Sequence, residues 1–171
     1  MSENFPAFSI SPVPQPGPDT APPELFRGVY GMPMFVTAPT SDLAASLEFW
    51  AEGLGFFDFF TVPGQVTHLR RWAFQDVLLV PGERPGEAPA SSVTFSCLLS
   101  QVDAIVAACE KLRPGSTQGP RQMPWGTVEV EVTTPENTRV IMTAARPFDP
   151  RSAEAAYLGE SGFDLPEAPG A

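Results

Sequence analysis

Residues 40–56 read "TSDLAASLEFWAEGLGF". Leu43, Leu47 and Trp50 recur at four- and three-residue spacing, and Phe49 widens the same face, which predicts an amphipathic helix over 40–53. Thr40 or Ser41 can cap its start, and Gly53 and Gly55 stop it. The chain then continues "FDFFTV" to residue 62, so that residues 49–60 carry six aromatic side chains. Some of those rings must be core. The question is whether the others face a ligand.

Working outward, residues 31–39 ("GMPMFVTAP") predict a short strand interrupted by prolines, suited to a sheet edge. After the helix, three strands are expected at about 56–62, 66–74 and 77–81, the first two separated by the turn "VPGQ". A linker, "PGERPGEAPAS" at 81–91, leads to a second unit with the same order of elements. Residues 92–99 predict a strand, and 101–112 a helix with Val102, Ile105, Val106 and Cys109 on one face. The stretch "RPGSTQGPRQMPWG" reads as a loop with turn chemistry. "TVEVEVT" (127–133) alternates strictly, and "TPEN" turns into a last strand over 138–145. This internal repeat is the most informative feature of the organisation.

The ends differ in composition. Residues 1–26 hold seven prolines, three acids and no base, and read as an extended, disordered arm. Residues 147–171 carry five acids against Arg151 and read as a flexible acidic tail with a short helical turn around "SAEAAYLGE". Most of the net charge of −10 therefore sits outside the domain predicted over 27–146, whose units span about 29–82 and 91–146. The basic clusters that nucleic acid requires are missing, so no nucleic-acid partner is expected. Cys97 and Cys109 read as small buried hydrophobes. The sequence has no apolar run of about 18 residues and no basic, then apolar, leader, so the expectation is a cytoplasmic protein with no membrane partner.

Two stretches carry a family likeness. "SDLAASLEFWAEGLGF" (41–56) and "GPRQMPWGTVEVEVTTPENTRV" (119–140) resemble the two signatures of the vicinal oxygen chelate superfamily, in the right order on the right elements. That superfamily includes glyoxalase I, extradiol dioxygenases, fosfomycin-modifying enzymes and bleomycin resistance proteins. The likeness spans roughly residues 29–146 and implies an α+β fold of two βαβββ units forming a cupped mixed sheet. One departure stands out: "TPENT" replaces Asp-Pro-x-Gly-Asn, so the last turn lacks its glycine and aspartate.

The resemblance also implies where divalent-metal ligands would lie: at or beside Phe35, near Leu78 or Leu79, near Ser92 or Thr94, and at Ile141. None of these is His, Asp, Glu or Cys. The single histidine, His68, falls elsewhere. The expectation is no metal and no cofactor. What remains is the metal-free branch, similar to bleomycin-, phenazine- and mitomycin-type binding proteins, which implies a homodimer that stacks a planar drug between aromatic rings.

Strand parity sorts the rings. Phe49, Trp50 and Phe56 are assigned to the core. Phe57 and Phe59 lie on the opposite set of their strand, and Phe35 on the first strand. In "THLRRWAF" (67–74), His68, Arg70 and Trp72 share a parity that ill suits a helix-facing core. Trp125 precedes a strand in a loop, where it can act as a stacking lid. Glu129 and Glu131 alternate with core valines and are either acceptors for a ligand amine or solvated positions. The expected ligand-binding residues are thus Phe35, Phe57, Phe59, His68, Arg70, Trp72, Trp125 and Glu129. The expected function is non-catalytic sequestration of a small, partly aromatic natural product or antibiotic. The alternative is a metal-independent biosynthetic enzyme using His68 with Glu129 or Arg70.

Overall fold

Two four-stranded sheets with identical strand order carry the chain, each built from one repeat. The computed structural model describes residues 16–17, 19–29, 31, 34–72 and 75–165. The first fifteen residues of the expected arm, and 166–171 of the expected tail, lie outside them. In the first sheet β1 (Phe35–Thr40) runs parallel to β4 (Asp76–Pro81), which pairs antiparallel with β3 (Val66–Arg70), and β3 with β2 (Phe57–Val62). In the second, β5 (Val93–Cys97) is parallel to β8 (Arg139–Ala145), followed by antiparallel β7 (Thr127–Thr133) and β6 (Thr117–Gln122). Helix α1 (Leu43–Glu48) precedes β2 and helix α2 (Val102–Leu112) precedes β6. The expected α+β architecture of two βαβββ units is what the chain forms.

Local chemistry explains most boundaries. Asp42 caps α1, its carboxylate accepting from the Ala45 amide at 3.0 Å. Neither expected cap, Thr40 or Ser41, takes that position; Thr40 instead bonds the Asp42 amide and the Ser46 hydroxyl. From Phe49 to Gly53 the helix relaxes into one π-helical turn. Gly53 lies close enough to α2 that a Cβ there would sit 3.0 Å from the Cys109 sulfur. Strand β3 ends at Arg70, four residues short of expectation, because the chain turns: the Gln75 amide donates to the Trp72 carbonyl and the Arg71 amide to that of Gln75.

β6 occupies what reads as a loop in the sequence. It is an edge strand with a register shift between Gln118 and Arg121, where Gly119 and Pro120 interrupt the ladder. Gly119 has φ +111°, and a Cβ would meet the Glu129 carbonyl at 3.0 Å. Only glycine fits there.

The core lies between helices and sheets. Leu69, Val77 and Leu79 of the first sheet and Val130, Val132, Val140 and Met142 of the second are buried on the helix side. Phe49, Trp50 and Phe56 are at most 4% exposed, as expected of core rings. Trp50, Phe56 and Phe95 meet edge to face with centroids 5.0–6.0 Å apart, which joins the first unit to the second.

Two buried polar groups complete the joint. The Glu136 carboxylate accepts from Trp50 Nε1 at 2.7 Å, Ser46 Oγ at 2.9 Å and Thr134 Oγ1 at 2.6 Å. Arg71, buried at the end of β3, donates to the carbonyls of Leu54 and Ser96 and to the Gln101 side chain at 2.8 Å. In the "TPENT" turn Asn137 takes φ +61°, the left-handed conformation that the missing glycine would have supplied.

The segment expected as a flexible tail contains a docked helix, α3 (Ala153–Glu160). Ser152 caps it, Ala155 is buried, and Glu154 pairs with Arg146. It coincides with the short helical turn expected around "SAEAAYLGE"; a cap, one small buried residue and one ion pair seat its two turns.

Candidate functional site

Side chains that do not face the helices emerge on the outer face of each sheet, and the candidate residues divide between the two faces. On the first, His68 and Arg70 alternate with core Leu69 on β3. Arg70 forms a bidentate pair with Asp76 (2.7 and 3.1 Å), its directly opposite neighbour on β4. Its remaining donor, Nη1, reaches the carbonyls of Phe26 (3.0 Å) and Gly28 (2.6 Å). Its guanidinium also lies over the Phe59 ring at 4.3 Å and the Phe26 ring at 5.5 Å. Arg27 covers Phe57 at 4.9 Å.

The end of the N-terminal arm is therefore laid across this face. Phe26 is the last residue of the expected arm and Gly28 lies at the start of the expected domain; both carbonyls are recruited because a buried guanidinium needs more acceptors than one carboxylate offers.

His68 is enclosed by rings: Phe35, Phe59 and Phe60 meet it edge-on with centroids 5.0–5.3 Å away. Simple alternation separates Phe59 from Phe60. The register shift between Asp58 and Phe60 brings both to His68. His68 Nε2 lies 3.6 Å from Asp76 Oδ1. Burial pushes the imidazole's pKa down, against the opposing pull of Asp76. Asp76 was not among the expected residues, although its place opposite Phe35 and Arg70 follows from pairing once the register is known.

The second face is polar and open. Thr127, Glu129 and Glu131 of β7 share one parity, and Arg139, Ile141 and Thr143 of β8 another, directly opposite. Glu131 is held bidentately by Arg139 (2.7 and 2.8 Å), which keeps its carboxyl below the usual range. Glu129 Oε1 accepts from Trp125 Nε1 at 3.1 Å, Thr127 Oγ1 at 3.1 Å and Thr143 Oγ1 at 3.4 Å. Trp125 is 44% exposed. A depression of about 230 Å³ on this face is lined by Gln118, Arg121, Glu129, Glu131, Arg139 and Ile141 among others, whereas Trp125 lines a separate hollow with Arg146 and Phe148.

Trp72 belongs with this second face and not with His68 and Arg70. Because β3 has ended, Trp72 lies on the turn, its ring 4.4 Å from the Arg71 guanidinium. There it lines a cavity of about 440 Å³ with Ser96, Thr127, Thr143 and Ala145. Of the eight expected residues, Phe35, Phe57, Phe59, His68 and Arg70 thus gather on the first sheet, and Trp72, Trp125 and Glu129 border the second.

Solved structures of the same architecture are similar to the chain across about 70% of its length. A glyoxalase-related enzyme from Clostridium phytofermentans matches with TM-score 0.52 and 17% identity, over 70% of this chain and 99% of that one. The fosfomycin resistance protein FosX from Mesorhizobium loti matches with TM-score 0.55 and 13% identity, over 69% and 94%. FosX from Listeria monocytogenes, in complex with Mn(II) and sulfate, gives TM-score 0.57 and 13% identity over 69% and 92%.

The fold is that of the vicinal oxygen chelate superfamily.

No family model and no curated protein matches by sequence. With that fold comes the question of a divalent metal. The residues present do not fit one. Both Asp76 oxygens are taken by Arg70, which would set a cation beside a guanidinium. On the second face both Glu131 oxygens are taken by Arg139, and Ile141 offers no donor. Among the described residues, no three His, Cys, Asp or Glu side chains gather in a metal-binding group. No described helix is long and apolar enough to cross a membrane.

Proposed function

We propose that this protein binds and sequesters a small, partly aromatic natural product or antibiotic without altering it, as a cytoplasmic homodimer. The observation that carries this reading is the pair of indoles bordering one polar sheet face: Trp125 bonded to Glu129, and Trp72 across Thr127 and Thr143. Indoles so placed supply ring stacking, and the threonines and carboxylate fix orientation. Two of the solved structures it resembles are named as resistance proteins, which agrees with a protective role. Phe35 and Phe60 are 42% and 46% exposed on the first face and offer an apolar surface to a second copy.

Two observations weigh against the acid–base pairs of an enzymatic reading, although His68 and Arg70 share a face of β3. His68 and Glu129 lie on different sheets, and Arg70 is engaged by Asp76 and the arm. Titrating a panel of planar aromatic natural products against intrinsic tryptophan fluorescence, with mass spectrometry of the recovered compound, tests the proposal. Saturable quenching with unchanged compound is expected. Recovery of a converted compound would replace it with the enzymatic reading, and a panel that leaves the fluorescence unmoved would remove it.

A further inference from the structure

The cavity beside Trp72 has a chemical bias that narrows the ligand. Its described walls are Pro16, Trp72, Gln75, Ser96, Cys97, Leu98, Thr127, Thr143 and Ala145, and none of these carries a charge. Cys97 is no exception, since burial pushes its thiol up to about 11. A charged group entering here would lose its water without touching a charged wall, since Arg71 lies behind Trp72 with its donors on Leu54, Ser96 and Gln101, and Glu129 lies behind the two threonines. At about 440 Å³ the cavity lies within the size range of small-molecule sites.

The polar atoms on these walls act in one direction. Gln75 Oε1 is buried and has no hydrogen-bond partner. A buried amide oxygen left this way is disfavoured, and a rotation of the Gln75 side chain that turns it to a donor in the cavity would relieve the penalty. The hydroxyls of Thr127 and Thr143 each have a single proton, and both protons point to Glu129 Oε1. What the two threonines retain for the cavity is lone pairs. Glu129 thus sets the polarity of the site without lining it, by engaging the protons of both hydroxyls.

We infer that this cavity takes a neutral, planar heterocycle that donates N–H or O–H to Gln75 Oε1 and the threonine oxygens while its ring stacks on Trp72. The inference rests on the proposed ring-binding function and specifies its ligand class. Backbone bonds hold the two principal residues together: the Gln75 amide donates to the Trp72 carbonyl at 3.0 Å. The side chain of Gln75 takes no part in that turn, so an apolar replacement leaves it intact.

The test compares two flat tricyclic probes of equal shape. Phenanthridinone presents a lactam N–H, and benzocoumarin places a ring oxygen at the same position. The wild-type protein should bind the lactam about tenfold more tightly, the worth of one hydrogen bond made instead of opposed. Gln75→Leu, checked for an unchanged melting temperature, should bring the ratio close to one. Equal affinities in the wild type, tighter binding of the lactone, or a ratio that survives Gln75→Leu would each overturn the inference. Failure of both probes to bind would overturn it too. The broader function would then stand or fall on the aromatic panel, which does not depend on an N–H donor.

Discussion

Glu136 receives the indole N–H of Trp50 at 2.7 Å, across 86 positions of sequence and across the boundary between the two units. Ser46 and Thr134 donate to the same carboxylate, so all four side chains act as one buried knot. Replacing Glu136 by Ala should cost roughly 2–4 kcal/mol, because three donors lose their acceptor in a place water does not reach. Urea denaturation of the single variants and of Glu136→Ala with Trp50→Phe would show a non-additive pair. Additive losses would mean that the bond does not couple the units.

The aromatic residues should separate into two behaviours. Truncating Phe49, Trp50 or Phe56 to Ala should cost roughly 3–5 kcal/mol of stability, since each fills the core. Trp125→Ala should leave the fold nearly intact and weaken ligand binding by about 1–3 kcal/mol. Denaturation midpoints plotted against affinities for a panel compound would show the division. An unfolded Trp125→Ala protein would place that ring in the core instead.

Removal of residues 1–28 should be destabilising, contrary to what their composition suggests. Arg70 would lose both carbonyl acceptors, at a cost on the order of 1–3 kcal/mol. A melting temperature several degrees below that of the full chain is expected. An unchanged value would show that the arm's contact with Arg70 contributes nothing net.

Acid sensitivity should trace to one side chain. Burial lowers the folded-state pKa of His68, whereas in the unfolded chain it takes up a proton near pH 6.5. The unfolded state then binds more protons over the interval below 6.5, so stability falls as pH drops through it. The loss levels off once the folded protein is protonated as well. His68→Phe, joining Phe35, Phe59 and Phe60, should abolish this part of the profile. With a single histidine in the chain, urea midpoints between pH 7.5 and 5 give a clean comparison.

The repeat, both helices and the core rings were legible because each is written as local periodicity: Leu43, Leu47 and Trp50 on one face, the valines of 127–133 on another. β6 was not, since its Gly119 and Pro120 are turn residues by any local rule, and only pairing with β7 makes them a strand. Parity found His68 and Arg70 together but carried Trp72 with them, because nothing local announces that β3 stops at Arg70. Asp76 and Gln75 escaped notice for the related reason that their roles come from partners distant in sequence or from an enclosed space. The docked arm is legible only from the far side, as a guanidinium short of acceptors.

That arm has a consequence for stoichiometry. The chain duplicates one unit, yet the two outer faces serve different ends: one is covered by the protein's own backbone at Phe26 and Gly28, and the other carries Trp125 at Glu129 and Trp72 at Thr127 and Thr143. A duplicated architecture so divided should saturate at one ligand per chain rather than two. The first copy has become the clasp that fastens residues 26–28, leaving recognition to the second.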